Sequence, residues 1–345
     1  NRPAIRGYIK LKMIKVTIVG ATTWGTTLAL MISKEGINTT LLARSKAESS
    51  KLIQEGQNSR FSPGAMFPNN LSITHLVENA FDSSSIAMYA VPSTTFRTNV
   101  VETIHHIPKD TVIVSASKGL ELNTGKRMTE ILKELISDNS NERLCALSGP
   151  NLASEIISGK PTSTVVASTN YTSAKLVQSI LNSDKFRVYT NTDIIGVELA
   201  GALKNITAIA AGICDGLHLG DNAKATIITR GLSEMSRLGT AMGANPLTFA
   251  GLAGMGVIIA TCSSNLSRNN RAGRLLATGA SIPDIARSIG SVTEGIGTTK
   301  ATIKLAERIN IEMPLAKSVY NVIYNNTDAL EAVHDLMIRA PRSET

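Results

Sequence analysis

The sequence predicts an α/β fold in which an N-terminal doubly wound, mainly parallel sheet is followed by an all-helical C-terminal domain. Short β-branched runs bounded by turn residues alternate with helical patterns through the first half, the signature of a parallel sheet covered on both faces. From about Asp193 the strand-like runs stop, and stretches rich in Ala, Leu, Ile and Gly keep helical spacing to the end. A length of 345 residues suits about two cores. The expected division is a tail at 1–12, a sheet domain at 13–192 and a helical domain at 193–345.

The predicted strands are Lys15 to Gly20, Asn38 to Arg44, Ile86 to Pro92, Thr111 to Ser117, Leu144 to Pro150 and Ser163 to Thr169. Helical patterns lie between several of them, as at Leu28 to Gly36 and Lys126 to Ile136. A helix over Asp193 to Leu217 opens the second domain, because Ile195, Leu199, Leu203, Ile206, Ala210 and Ile213 return to one face. No internal repeat or low-complexity stretch interrupts this order.

Composition removes several function classes. The 43% hydrophobic and 18% charged content is ordinary for a soluble chain, and no apolar run approaches the ~20 residues of a bilayer span, so a cytoplasmic protein without a membrane span is expected. Cys145, Cys214 and Cys262 are far apart and form no C-x-x-C pair, the pattern of a reduced compartment, and no metal site is expected. The net charge of +8 is spread along the chain with only six Phe and six Tyr, which argues against nucleic acid. A mild basic excess suits a dinucleotide and a phosphorylated substrate instead. Residues 1–12 are basic, precede Met13 and lack the apolar core of a secretory signal.

The run Val16 to Gly20 leads through Ala21-Thr22-Thr23-Trp24-Gly25 into a helical pattern, the strand, turn and helix of a Rossmann-type pyrophosphate site. Gly20 suits the tight turn and Gly25 the close helix packing, but the middle glycine position holds Thr22. Strain there would cost on the order of 1–3 kcal/mol, roughly one to two decades of affinity. An ordinary strand-to-helix turn would read the same way. Arg44 ends the second predicted strand where NAD-selective proteins place a carboxylate, and a cation tolerates a 2′-phosphate. The cofactor choice therefore leans toward NADPH, with a solvated arginine as the alternative.

Lys118 follows a predicted strand and precedes Gly119, at the end where parallel sheets bind ligands; a surface lysine is the alternative. Ser148-Gly149-Pro150-Asn151 ends another strand and offers backbone donors, or a simple turn. Lys204 stands inside an apolar helix with Ala200, Gly201, Ala208 and Ala211 around it, which leaves room for something to approach. A partly buried lysine suits general acid and base work at a carbonyl or alcohol oxygen, and Asn205 beside it suits orientation; snorkelling from the helix is the alternative. The segment Ser267-Arg268-Asn269-Asn270-Arg271 concentrates guanidinium, hydroxyl and amide donors fit for a phosphate monoester, or for an exposed helix start.

From about Met13 to Leu336 the chain closely resembles the bacterial-type NAD(P)-dependent glycerol-3-phosphate dehydrogenases. The resemblance rests on Val91-Pro92-Ser93-Thr94-Thr95-Phe96-Arg97, Ser117-Lys118-Gly119-Leu120-Glu121, Leu147-Ser148-Gly149-Pro150, Glu198 to Asn205, Gly220-Asp221-Asn222-Ala223-Lys224-Ala225 and Leu266-Ser267-Arg268-Asn269. It implies reversible hydride transfer between NAD(P)H and dihydroxyacetone phosphate, giving sn-glycerol 3-phosphate for phospholipid synthesis. Lys204 would be the catalytic proton donor and acceptor. Lys118, Gly149, Asn151, Lys204, Asn205, Ser267, Arg268 and Asn269 would contact substrate, with Asn151 in place of a small hydroxyl residue. Cofactor contacts would be Gly20, Thr23, Trp24, Gly25, Arg44, Phe61, Lys118, Ala153, Arg268, Val292 and Glu294, with Phe61 in place of the usual tyrosine. Helical second domains of this kind often bury a face in a partner, which leaves a homodimer open.

Two further departures bear on activity: Thr22 at the middle glycine, and Gly254-Met255-Gly256-Val257 where the family reads Gly-Leu-Gly-Asp. Val257 removes a carboxylate near Lys204, so the lysine pKa is expected to fall and the rate to drop by ~10²–10⁴ if that carboxylate positions the reaction. A catalytically impaired member that keeps the fold and binds phosphorylated metabolites is the alternative reading. Gly297 stands where an arginine is frequent.

Overall fold

The computed structural model describes residues 14–136, 141–290, 293–341 and 343. The expected tail at 1–12 and the expected cofactor contact Val292 lie outside these residues. Two compact units emerge: residues up to Lys118 together with Met128–Val197, and Gly119–Arg127 together with the chain from Glu198 onward.

The first unit is built on an eight-stranded sheet of β1 (Lys15–Val19), β2 (Asn38–Leu42), β3 (Leu71–Thr74), β4 (Ile86–Tyr89), β5 (Val112–Ser115), β6 (Leu144–Ser148), β7 (Thr162–Ala167) and β8 (Phe186–Asn191). Their order is β3-β2-β1-β4-β5-β6-β7-β8. Strands β1 to β6 run parallel, β7 is antiparallel to β6, and β8 is parallel to β7. Alternate residues of the inner strands feed two cores: Ile86 and Met88 join one with Ile18, Val114 and Leu147, while Ala87 and Tyr89 join the other with Val19, Ile113 and Phe96. Burial on both faces is why these strands read as continuous apolar runs. Because β1, β2, β5 and β6 are parallel, the residues that follow them emerge at one edge, where such sheets receive ligands.

The sequence reading passed over β3 and β8. Both lie at the ends of the sheet. β3 has four residues and only Leu71 buried, while β8 alternates buried Phe186 and Val188 with exposed Arg187 and Tyr189. Half-covered edge strands carry too little apolar signal to stand out.

From Glu198 onward the regular elements of the second unit are all helices among the described residues, with Ile194–Gly216, Gly220–Ala241, Arg268–Ala277, Glu294–Arg308 and Pro314–Tyr324 as the long ones. Helix Ile194–Gly216 has the length and composition to cross a bilayer, but 83% of its apolar window is buried within the protein, as in the core helix of a globular fold. It meets Arg268–Ala277 backbone to backbone. A Cβ on Gly212 would stand 2.0 Å from the Asn270 carbonyl oxygen, and one on Gly273 would stand 2.1 Å from that of Ile209. Only glycine allows this approach, and it brings the start of one helix against the middle of the other.

Ala200, Gly201, Ala208 and Ala211 are all buried. Segment Gly119–Arg127 is held to the helical unit by a buried ion pair in which Arg127 Nη1 donates to Glu198 Oε2 at 2.7 Å, and by Arg308 Nη1 donating to the Thr124 carbonyl at 3.3 Å. Glu234 caps helix Pro314–Tyr324 from a neighbouring helix, accepting the Leu315 and Ala316 N–H groups at 2.6 and 3.1 Å.

Candidate active site

In the first unit the turn after β1 is shaped by backbone contacts. Gly20 has φ +105°, outside the range of most side chains, and its N–H donates to the Leu42 carbonyl at 3.0 Å, tying the turn to the end of β2. A Cβ on Gly25 would lie 1.9 Å from the Gly20 carbonyl oxygen, so the helix packs directly on the turn.

Thr22 is not strained. It is the N-cap of helix Thr23–Lys34 at φ −77° and ψ 174°, ordinary extended backbone. Its Oγ1 accepts the Gly25 N–H at 3.1 Å and donates to the Ala90 carbonyl at 2.7 Å. The expected strain at the middle glycine position is therefore overturned: a hydroxyl residue takes the cap and turns its oxygen inward. Among the described residues, no acceptor meets the backbone N–H of Thr23 or Trp24, and the first helical turn carries no acidic residue. These are the donors and the field that an anion requires.

Asn58, which sequence reasoning missed, anchors the loop carrying Phe61 to this turn. Its buried amide donates to the Ala21 carbonyl at 3.2 Å and to Thr26 Oγ1 at 2.8 Å. Phe61 lies under the Arg60 guanidinium at 4.9 Å. Arg44, two residues past β2, is exposed and pairs with Glu48, its Nε 3.3 Å from Oε1. Further along the same edge, Lys118 Nζ donates to the Gly149 carbonyl at 3.2 Å, joining the ends of β5 and β6. Gly149 cannot carry a side chain, since a Cβ would fall 2.8 Å from the Thr164 Cα.

Asn151 is committed to β7: its amide donates to the Ser163 carbonyl at 3.1 Å and accepts from Thr164 Oγ1 at 2.8 Å. Ala153 opens the short helix Ala153–Ile157.

The helical unit assembles a row of buried polar groups. Lys204 is 8% exposed, and its Nζ donates to Asn205 Oδ1 at 2.9 Å and to Thr261 Oγ1 at 3.0 Å. Asn205 Oδ1 also accepts from Asn269 Nδ2 at 2.8 Å, and Asn269 Oδ1 accepts the Gly295 N–H at 2.9 Å. Gly295, beside Glu294, is required here because a Cβ would meet Asn269 Oδ1 at 2.6 Å. The Asn205 Nδ2 donor is buried and has no partner within the protein, a costly state that a ligand oxygen would relieve.

Val257 is buried at the start of helix Val257–Ser263, and its carbonyl accepts the Thr261 hydroxyl at 2.6 Å. That bond orients Thr261 so that its oxygen accepts from Lys204. Val257 therefore does not strip the lysine of acceptors, because neutral oxygens of Thr261 and Asn205 hold it. The sequence reading did not single out Thr261; its i+4 spacing from Val257 was the available signal. Cys262, next in the chain, is buried, and burial pushes its thiol up to about 12 against the opposing effect of the nearby Lys204 charge. It is no nucleophile at neutral pH.

Ser267 caps helix Arg268–Ala277, accepting the Asn270 N–H at 3.2 Å, and leaves Arg268 exposed in the first turn. Asn270 donates to Asp215, which also receives Lys224 and Arg274. Burial works to raise the Asp215 pKa, but these hydrogen bonds and charges outweigh it and hold the carboxyl below its ordinary value.

The N-terminal domain family described as NAD-dependent glycerol-3-phosphate dehydrogenase N-terminus matches residues 15–174, and the corresponding C-terminus family matches residues 193–334. A glycerol-3-phosphate dehydrogenase [NAD(P)+] of Dehalococcoides mccartyi is 47% identical over 94% of this chain and 91% of its own. One from Chlorobium phaeobacteroides is 41% identical over 96% and 99%. The crystal structure of a glycerol-3-phosphate dehydrogenase from Coxiella burnetii superposes with a TM-score of 0.90 at 35% identity, covering 95% of this chain and 100% of that one. The Plasmodium falciparum structure, 19% identical with a TM-score of 0.85 over 96% and 97%, shares the fold. By its sequence and by the architecture of both units, the chain belongs to the NAD(P)-dependent glycerol-3-phosphate dehydrogenase family.

Proposed function

We propose that the protein interconverts dihydroxyacetone phosphate and sn-glycerol 3-phosphate with a nicotinamide cofactor, and that Lys204 carries the proton. The observation that supports this most directly is the buried row Thr261, Lys204, Asn205 and Asn269, with the unpartnered Asn205 amide beside the lysine.

The turn fits a dinucleotide: the cradle at Gly20 and Gly25 admits no Cβ, and the Thr23 and Trp24 N–H groups suit a pyrophosphate. Trp24, Arg44, Phe61, Lys118, Ala153, Arg268, Val292 and Glu294 are the proposed remaining cofactor contacts. When bound, the reduced nicotinamide supplies the hydride that reaches the substrate carbonyl carbon. Lys204 gives its proton to the C2 oxygen as that oxygen becomes an alcohol, and takes it back in the reverse direction. Asn205 donates to the same oxygen and fixes its distance from the ammonium. Arg268 binds the phosphate, with the capped helix start behind it. Ser267 and Asn269 hold that helix start and the Asn205 amide in place.

Lys118 and Gly149 are the substrate contacts proposed for the first unit, with Asn151 holding the β6 to β7 connection beneath them. We place the first domain at 13–192 as the dinucleotide domain and 193–345 as the substrate domain. Arg44 favours NADPH. Free, buried Cys145, Cys214 and Cys262 support a cytoplasmic setting, and analytical ultracentrifugation distinguishes a homodimer from a monomer.

The test is the loss of reduced-nicotinamide absorbance on adding dihydroxyacetone phosphate, run with NADH and with NADPH, with Lys204→Ala alongside. Turnover abolished in the variant is the expected outcome. No turnover in a well-folded natural protein would overturn the reading and leave a metabolite-binding protein.

A further inference from the structure

We propose that Glu48 sets the balance between the two nicotinamide cofactors by competing with a 2′-phosphate for Arg44 and by offering its own carboxylate to an unphosphorylated ribose. This deepens the cofactor reading above and rests on it.

The geometry places a fixed carboxylate where Arg44 alone was expected. β1 and β2 run parallel and adjacent, and Gly20 donates to Leu42, so the end of β2 lies beside the pyrophosphate turn. Past that end, Ser45 caps helix Lys46–Glu55 by accepting the Glu48 N–H at 3.2 Å. The Glu48 side chain then folds back toward β2. Its Oε2 accepts the backbone N–H of Arg44 at 3.0 Å, while Oε1 stands 3.3 Å from the Arg44 Nε.

The two partners are held unequally. The Arg44 side chain is 73% exposed and Glu48 only 22%. A main-chain donor and a helix turn locate Glu48, so its carboxylate stays when the arginine swings away. An acceptor at the end of the second strand receives ribose hydroxyls, whereas a cation there receives a 2′-phosphate. This chain carries both within four residues. A phosphate arriving at Arg44 must displace Glu48 from the guanidinium and approach its negative charge, while a ribose with a free 2′-hydroxyl gains an acceptor. Discrimination arises from the repulsive element as much as from the attractive one.

Glu48→Gln keeps an oxygen for the Arg44 N–H and removes the charge. Dissociation constants for NADPH and NADH, from nicotinamide fluorescence of the full chain, read the effect. NADPH is expected to bind about 3- to 30-fold tighter and NADH about equally or a few-fold weaker, moving the ratio toward NADPH. Arg44→Ala is the companion: it should weaken NADPH by about tenfold or more and spare NADH. A ratio unchanged in Glu48→Gln, with NADPH weakened in Arg44→Ala, overturns the role of Glu48 and leaves the cofactor site standing. Absence of binding by either nucleotide to the natural protein, or indifference of NADPH to Arg44→Ala, overturns the cofactor reading itself and Glu48 with it. Should Glu48→Gln fail to fold, Glu48→Asp, whose shorter arm reaches Arg44 less well, is expected to move the ratio the same way by less, and no movement again overturns the role.

Discussion

The two units present their chemistry by different means. At the carboxyl ends of β1 and β6 the first unit offers main-chain groups: the N–H groups of Thr23 and Trp24 and the Gly149 carbonyl that receives Lys118. The helical unit offers side chains, with Lys204, Asn205, Thr261 and Asn269 each holding the next. A main-chain donor survives a change of side chain provided the backbone path is kept, and Thr22 illustrates this, replacing a glycine by becoming a cap. A row of buried side chains has no such tolerance, since removing one leaves its neighbour's polar atom unpaired in a low dielectric. Sequence change should therefore be cheap at the turn outside Gly20 and Gly25, where no Cβ fits, and expensive in the row.

The largest effect expected on this view is Lys204→Ala, which should lower kcat by about 10³-fold or more while leaving cofactor binding to the first unit nearly unchanged in fluorescence titration. Retained turnover would break the comparison at its centre. Next comes Glu234→Ala, which strips two helix N–H groups of their acceptor and should cost about 2–4 kcal/mol in chemical denaturation. Burial pushes the Glu234 carboxyl above its ordinary value of 4.5, against the N–H donors of Leu315 and Ala316. The folded protein then holds that proton more tightly than the unfolded chain. The contribution of Glu234 is smallest at neutral pH and grows as pH falls through the folded pKa toward 4.5. Glu234→Gln should flatten stability against pH in that window and leave the rest of the profile intact.

Thr261→Val, which removes an acceptor from the lysine while keeping the volume, is expected to reduce kcat by about 10- to 100-fold with a smaller change in KM. An unaltered kcat would show that Thr261 does not position the ammonium. Smallest should be Thr22→Gly: the cap is lost for a few tenths of a kcal/mol, and cofactor affinity moves by less than about threefold, or about 0.65 kcal/mol. A gain of a decade or more would mean that Thr22 does obstruct the phosphate path after all.

Much of the architecture was legible from residues alone, because the inner strands are buried on both faces and read as apolar runs, and because Ile195, Leu199 and Leu203 mark a helix by period. Strands β3 and β8 escaped because one face of each meets solvent. Gly20 and Gly25 were found through their turn, and Lys204 through a charge set among apolar neighbours. Glu48, Asn58 and Thr261 were not. Each acts through a contact distant in sequence or through a side chain that doubles back, and no local spacing announces an amide that reaches from residue 58 to the Ala21 carbonyl. The meaning of Thr22 was misread for a related reason: a threonine at a glycine position looks strained until its φ and its two hydrogen bonds are seen.

Segment Gly119–Arg127 has a consequence for the order in which the chain acquires its shape. It leaves the polypeptide ahead of β6, β7 and β8 yet belongs to the helical unit. On the ribosome, Arg127 emerges 71 residues before its partner Glu198 and must stay hydrated until helix Ile194–Gly216 arrives. The helical half cannot be completed by its own stretch of chain, and a cut at residue 193 would leave Glu198 with a buried charge and no guanidinium. This chain should therefore resist being divided into separately expressed pieces at the boundary its sequence pattern suggests.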